Sequence, residues 1–221
     1  MTADEFASAQ TLPDKIAWMA CHFSPYSTSL SNLPQKLPPD SLLILNDSTP
    51  PGHQDPAEIA KELENTLKIR NCSGILLDFQ RPVCDLSIRI IKQLLELDCP
   101  VCVSEGYAKE LDCPVFLPPP PITTPLEEYI APWKDREIWL DTALNCAQIT
   151  VTKSGSAVLP ISDRPEYPFV DEALHCHYHI ALKDDAVVFS LQRTKDDLDA
   201  LLKEAENLGI TSAVGLYQEL K

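Results

Sequence analysis

Several short runs in this chain are apolar at nearly every position rather than at every second one. SLLILND (41–47), GILLDFQ (74–80) and PVCVSEGY (100–107) are the clearest, with KIAWMACHF (15–23), PVFLPPP (114–120), REIWLDTAL (136–144) and SAVGLYQEL (212–220) close behind. A strand with one wet face alternates apolar and polar residues. A strand apolar throughout must be covered on both faces, as parallel strands flanked by helices are. The intervening segments supply the cover. Pro56 to Ile69 carries Ile59, Leu63 and Leu67 at four-residue spacing, with Asp55 as N-cap and Glu58 three residues on. Leu86 to Leu97 repeats the pattern with Ile90, Ile91, Leu94 and Leu95. Thr194 to Leu208 does so with Leu198, Leu201, Leu202 and Ala205, and Gly209 follows at the C′ position. Weaker helical stretches fall near 108–112 and 125–131.

One region breaks the alternation. AQITVTKSGSAVLPI and HCHYHIALKDDAVVFSLQR each hold two β-branched runs about a polar turn, SGS in the first and KDD in the second. Those are hairpins, not βα units. The expected fold class is therefore α/β. It is a distorted or incomplete (β/α)8 TIM-type barrel, one domain over 1–221, with a late antiparallel β-hairpin insertion at about 147–192. The parallel strands number seven, so the barrel is incomplete or borrows a strand from the insertion. A doubly wound open sheet is the alternative, weakened because no glycine-rich phosphate loop follows the first strand.

Composition narrows the function classes. At 221 residues, 44% apolar and 23% charged, the chain can bury a substantial core. Its net charge of −15 argues against nucleic acid and against anionic membrane surfaces as partners. Twenty prolines against six glycines point to stiff, extended loops. The opening MTADEFASAQTLPDK has no basic start or apolar run, so no secretory signal is expected. No run approaches 18 apolar residues, so no membrane span is expected. The eight cysteines sit mostly in apolar strands (Cys21, Cys102, Cys176), which suits a cytoplasmic protein with reduced thiols. No cofactor is expected, and the oligomeric state is left open.

In a (β/α) barrel the site is built from the C-terminal ends of the strands. Those ends read His22, Asp47, Asp78 with Gln80, Glu105, Asp141, and Tyr217-Gln218-Glu219. Acids thus finish four strands: ILND, LLDFQ, VSEGY and WLD. Carboxylates and amides pair with vicinal hydroxyls and aromatic faces stack on sugar rings, so this set suits a carbohydrate.

The strand GILLDFQ resembles the catalytic strand of family 18 glycoside hydrolases (chitinases and their lectin relatives), whose pattern is D-x-x-D-x-D-x-E with a glycine after the first acid. Laid onto Ser73 to Gln80, the glycine (Gly74), the third Asp (Asp78) and the aromatic (Phe79) match. Ser73 and Leu76 replace the first two acids, and Gln80 replaces the terminal Glu. The resemblance extends loosely over most of the chain. It implies that one family strand is missing near the N-terminus and that the hairpins at 147–192 match the antiparallel insertion chitinases carry before their last helix. It also implies that Tyr217 stands where the family usually has tryptophan. The family reaction needs the Glu to protonate the leaving oxygen while Asp supports the substrate's own acetamide as nucleophile. A glutamine at that place loses the general acid, worth ~10²–10⁴-fold.

Two outcomes follow: the protein binds an amino-sugar oligomer without cutting it, or another acid has taken over. Asp78 and Gln80 would then orient the sugar, Asp47 and Asp141 would pair with hydroxyls, Tyr217 would stack, and His22 and Gln218 would complete the site. Glu105 is the replacement acid, because it ends the next strand with Gly106 leaving room beside it. Strands ~4.8 Å apart bring Asp78 and Glu105 near a carboxylate pair's separation. The competing reading has Glu105 capping the short helix that follows.

Other signals compete. His175, His177 and His179 alternate in HCHYHI and share one strand face, which suits zinc with Asp47 or Asp141 as a further ligand. A metal-dependent hydrolase is therefore one alternative; a solvated or aromatic-packed hairpin face is the other reading of the same residues. Cys99-x-x-Cys102 precedes a strand rather than a helix, which suits core packing over redox chemistry. FLPPPPITTP (116–125) and DSTPPGHQDP (47–56) read as rigid loops at the barrel mouth, with His53 a weak mouth residue. If those loops close the mouth, a non-catalytic interaction domain results.

Overall fold

The structure, a computed structural model, describes residues 1–9, 13, 15–34, 37–52, 55–159, 161 and 166–220; His53 lies outside them. The fold is mixed α/β, with a mostly parallel sheet and a separate antiparallel one. Two compact units divide the chain, Met1–Leu117 and Pro118–Lys221.

The first unit begins with α1 (Ala3–Ser8), capped by a reciprocal box between Thr2 and Glu5. There follow β1 (Ala17–Phe23), β2 (Leu30–Ser31), β3 (Ser41–Asn46), α2 (Pro56–Arg70), β4 (Cys72–Asp78), α3 (Asp85–Leu94), β5 (Val101–Ser104), α4 (Glu105–Ala108) and β6 (Val115–Leu117). Its strands lie in the order β2-β1-β3-β4-β5-β6, parallel except for the edge strand β2. The unbroken apolar runs have the expected cause: Ile75, Leu76 and Leu77 of β4 are all fully buried, with both faces covered. Helix α2 starts on the Asp55 cap and ends on Asn71 in the left-handed conformation, burying Ile59, Leu63 and Leu67. Helix α3 buries Ile90, Ile91 and Leu94 and stops at Leu94, three residues short of the expected Leu97. Gly74 has a packing reason: a β-carbon there would meet the Pro100 carbonyl oxygen at 2.8 Å, the same oxygen that accepts the Ile75 N–H.

The run PVCVSEGY is not one strand. Strand β5 stops at Ser104 and Glu105 opens α4, because a carboxylate in a first helical turn faces the positive end of the helix and Lys109 sits one turn on to pair with it at 2.9 Å.

The second unit holds α5 (Leu126–Ile130) with a 3₁₀ turn at Ala131–Trp133, β7 (Ile138–Thr142), β8 (Cys146–Thr152), β9 (Gly155–Leu159), β10 (Phe169–Asp171), β11 (Cys176–Lys183), β12 (Ala186–Gln192), α6 (Lys195–Asn207), β13 (Ser212–Gly215) and α7 (Tyr217–Leu220). Both hairpins form, β8–β9 and β11–β12. They join through β8–β12 pairing into a five-stranded antiparallel sheet ordered β10-β11-β12-β8-β9. Strands β7 and β13 pair in parallel. SAVGLYQEL is likewise a strand followed by a helix: after Gly215 the chain coils into α7, and the Glu219 carboxylate accepts the Leu144 N–H at 2.9 Å. Among the described residues, no helix is long and apolar enough to cross a membrane.

Candidate functional site

In the first unit, registry builds a polar row at the strand ends. His22 of β1 stands opposite Asn46 of β3, and Asn46 stands opposite Asp78 of β4. Registered neighbours in a sheet project from the same face, so the three side chains line up across adjacent strands. All three are half-buried, in contrast to the fully buried Leu45 and Leu77 just before Asn46 and Asp78. Asn46 donates to the Cys21 carbonyl at 3.0 Å, and its amide oxygen accepts from the Ser48 N–H and hydroxyl. His22 Nδ1 lies 3.5 Å from the Asn32 amide. Gln80 is exposed two residues beyond Asp78, and its Nε2 donates to Asp78 Oδ1 at 2.5 Å. The strand stops at Asp78, so Gln80 lies in the loop beyond it, and the amide and the acid bond to each other.

Asp47 stands apart from this row. It is 3% exposed, and its two carboxylate oxygens accept the backbone N–H groups of Gln80 and Arg81 at 2.9 and 3.0 Å. Arg81 answers by donating Nε to the Asp47 carbonyl at 2.8 Å and Nη2 to that of Ser48 at 3.0 Å. The carboxylate therefore holds the loop that carries Gln80. Below it, Phe79 packs against Phe23 and Tyr107, with ring centroids 5.7 and 5.5 Å away, and its carbonyl accepts the buried Ser104 hydroxyl at 2.7 Å. Glu105 on α4 pairs with Lys109 just beyond its end. Further along the loop, the exposed Cys84 thiol bonds the Ser87 hydroxyl at 3.2 Å, and bonds from the Ser87 side chain and backbone lower its pKa.

The other strand-end residues belong to the second unit. Asp141 on β7 accepts the N–H of its neighbour Thr142 at 2.8 Å and lies opposite Val214 of β13. Tyr217 and Gln218 are on α7, not on a strand.

Two of the three histidines bond side chains of α6. His175 sits in a turn with φ +47°, just before β11, and its Nε2 bonds Glu204 of α6. His177 Nδ1 meets Asp197 Oδ2 at 2.8 Å. Burial presses the Asp197 carboxyl upward, but hydrogen bonds from Thr194 (side chain and backbone) and from His177 outweigh it and hold the group below its ordinary value. Helix α6 is thereby fastened to the sheet. Among the described residues, no group of three His, Cys, Asp or Glu side chains is placed to hold a metal ion.

Two residues with structural or site roles give little sign of them in the sequence. Asn46 precedes the more conspicuous Asp47, and only strand register shows that it is the amide, not the acid, that lines up with Asp78. Arg193 is 1% exposed and donates to the carbonyls of His175, Pro120 and Leu174, each at 3.2 Å, while burial lowers its pKa.

No protein-family model matches the sequence, and none of the curated proteins resembles it significantly. Solved structures do. The spore cortex-lytic enzyme SleL of Bacillus cereus aligns over 94% of this chain and 65% of its own, with a TM-score of 0.58 and 8% identity. SleL of Bacillus megaterium QM B1551 aligns over 94% and 64%, with a TM-score of 0.52 and 12% identity. The chitinase of Chromobacterium violaceum ATCC 12472 aligns over 97% and 88%, with a TM-score of 0.55 and 12% identity. The chain thus spans less than two thirds of either SleL. At these identities the likeness is one of fold.

Proposed function

We propose that this protein is a sugar-binding relative of family 18 hydrolases, an incomplete TIM-type barrel whose strand ends take an amino-sugar oligomer and do not cut it by the family route. The observation that carries this reading is the hydrogen bond from Gln80 to Asp78 at the end of β4. In the family reaction the group at the place of Gln80 releases a proton to the leaving oxygen. A neutral amide bonded to its neighbouring carboxylate has none to release in the working pH range. What it offers is a fixed acceptor oxygen beside a fixed carboxylate, flanked by Asn46 and His22. Such a row suits the vicinal hydroxyls and acetamide groups of an amino sugar. The fold neighbours, two cortex-lytic enzymes and a chitinase, support the same substrate class. Asp47 serves here as the tie that positions the Gln80 loop. Asp141, Tyr217 and Gln218 are the further contacts proposed for the second unit, and Glu105 remains the acid to replace should cleavage be found.

The test is native mass spectrometry of the protein mixed with chitin and peptidoglycan oligomers. Retained, uncut oligomer is expected, with binding weakened at least tenfold by Asp78→Asn or Gln80→Ala, the loss of about one good hydrogen bond. Cut products that vanish in Glu105→Gln, or binding indifferent to both row substitutions, would sink the reading.

A further inference from the structure

The five-stranded sheet of the second unit is amphipathic, and its apolar face is left open. The registers place Ala147, Leu191, Tyr178 and Phe169 in one row across the strands, and Val158, Ile149, Phe189 and Ile180 in the next. Val151, Val187 and Leu182 make a third. Ile122 and Leu174 close over part of the first row, where Ala147 and Leu191 are buried. In the second row Ile149 and Phe189 pack against that cluster, and among the described residues the rest of the second and third rows stays largely exposed. Leu182 is 82% exposed, Val158 60%, Ile180 41% and Val151 38%, and Phe169 at the end of the first row is 49% exposed. No charged side chain stands in these rows. The opposite face, with Gln148, Thr150, Thr152 and Lys183, is the one on which α6 bonds His177 and on which Ser190 and Val188 are buried, so that helix covers the other side of the sheet and not these rows.

We propose that this face is an interface, and that its occupant is a second copy of the same chain, the two sheets stacking face to face about a two-fold axis. Area favours this. The exposed fractions of these side chains amount to roughly 500 Å² per copy, so a stacked pair buries on the order of 1,000 Å² before any rim is counted, which reaches the size of a specific interface. Shape favours it too, since sheets pack on one another through interleaved apolar side chains ~10 Å apart, and a two-fold contact presents the same patch to itself. Charge selects against an anionic lipid surface as the occupant. Each copy carries −15, so an anionic lipid surface repels it, and copies can approach closely only through a patch without charges.

Sedimentation velocity across about 1–100 μM tests the assignment. A species of twice the 24.6 kDa chain mass is expected. Leu182→Lys combined with Val158→Lys is expected to raise the dissociation constant at least ~100-fold, since each of four apolar contacts becomes a buried charge. Lys183→Glu, at an exposed position on the opposite face, is expected to leave it unchanged. Far-UV circular dichroism checks that the double variant folds; if it does not, Leu182→Ser alone, at the most exposed position, is expected to weaken the dimer about tenfold. A chain that stays monomeric at the highest concentration would overturn the proposal. So would a dimer indifferent to the face substitutions, or one equally disrupted by Lys183→Glu. A monomer whose face takes up an apolar dye, with uptake lost in the double variant, would also overturn it and give the face to a different protein or to lipid.

Discussion

Asp47 and Asp78 end neighbouring strands, yet their surroundings give them opposite tasks. Asp47 is buried with both oxygens on backbone N–H groups, so Asp47→Ala would take the partner from two donors and leave a void at a buried position. That is expected to cost about 2–4 kcal/mol, read as a lower denaturant midpoint with an unchanged slope. Asp78 is half-buried and its partner is the exposed side chain of Gln80, so Asp78→Asn is expected to move stability by less than about 0.5 kcal/mol while weakening oligosaccharide binding. The thiols divide in the same way. Burial pushes Cys21 up to about 12 and Cys176 up to about 11, whereas exposed Cys84 is lowered by its bonds to Ser87. An alkylating reagent near pH 8 is therefore expected to label Cys84 well before Cys21 and Cys176, which react only on unfolding; mass mapping of the first adduct decides it.

At the scale of the element, helix α6 shows how one acid can secure a whole segment. Asp197 accepts from the Thr194 N–H, one half of the capping box, and from the Thr194 hydroxyl, and it bonds His177 of β11. Its carboxyl is therefore held below its ordinary value. A carboxyl depressed in the folded state stabilises it fully above the unfolded value of about 4, and the contribution is lost as pH falls through the folded value. Unfolding of Asp197→Asn is expected to fall furthest below the parent at neutral pH, and the two curves to converge as pH drops below about 4. A gap independent of pH would mean that the helix is held by Leu198 and Leu201 alone. The apolar period of this helix and its Thr194 start are plain in the sequence; the partner that makes Asp197 matter is not, because His177 lies 20 residues away on a hairpin.

For the whole molecule, the dominant long-range term is charge. A chain at −15 repels itself, and exposed like charges are screened over about 8–10 Å in physiological salt. Raising ionic strength from about 10 to about 150 mM is expected to raise Tm by roughly 2–4 °C, the equivalent of about 1 kcal/mol. Calorimetry at the two salt levels, with no change or a fall in Tm, would show that local ion pairs outweigh the repulsion.

Local physics reads directly from the sequence. The apolar runs of β3, β4 and β5 became parallel strands buried on both faces, four-residue spacing became α2, α3 and α6, and polar turns between β-branched runs became the hairpins of the antiparallel sheet, because each pattern constrains residues close along the chain. Register, strand ends and partners do not, since they depend on segments that meet only in the fold. Asn46 joins Asp78 because β3 and β4 pair in one register out of several, and a shift of a single residue would have put Asp47 there instead. Glu105 left its strand because Lys109 and a helix terminus were at hand. The histidines, alike along HCHYHI, differ because α6 lays Glu204 and Asp197 over two of them.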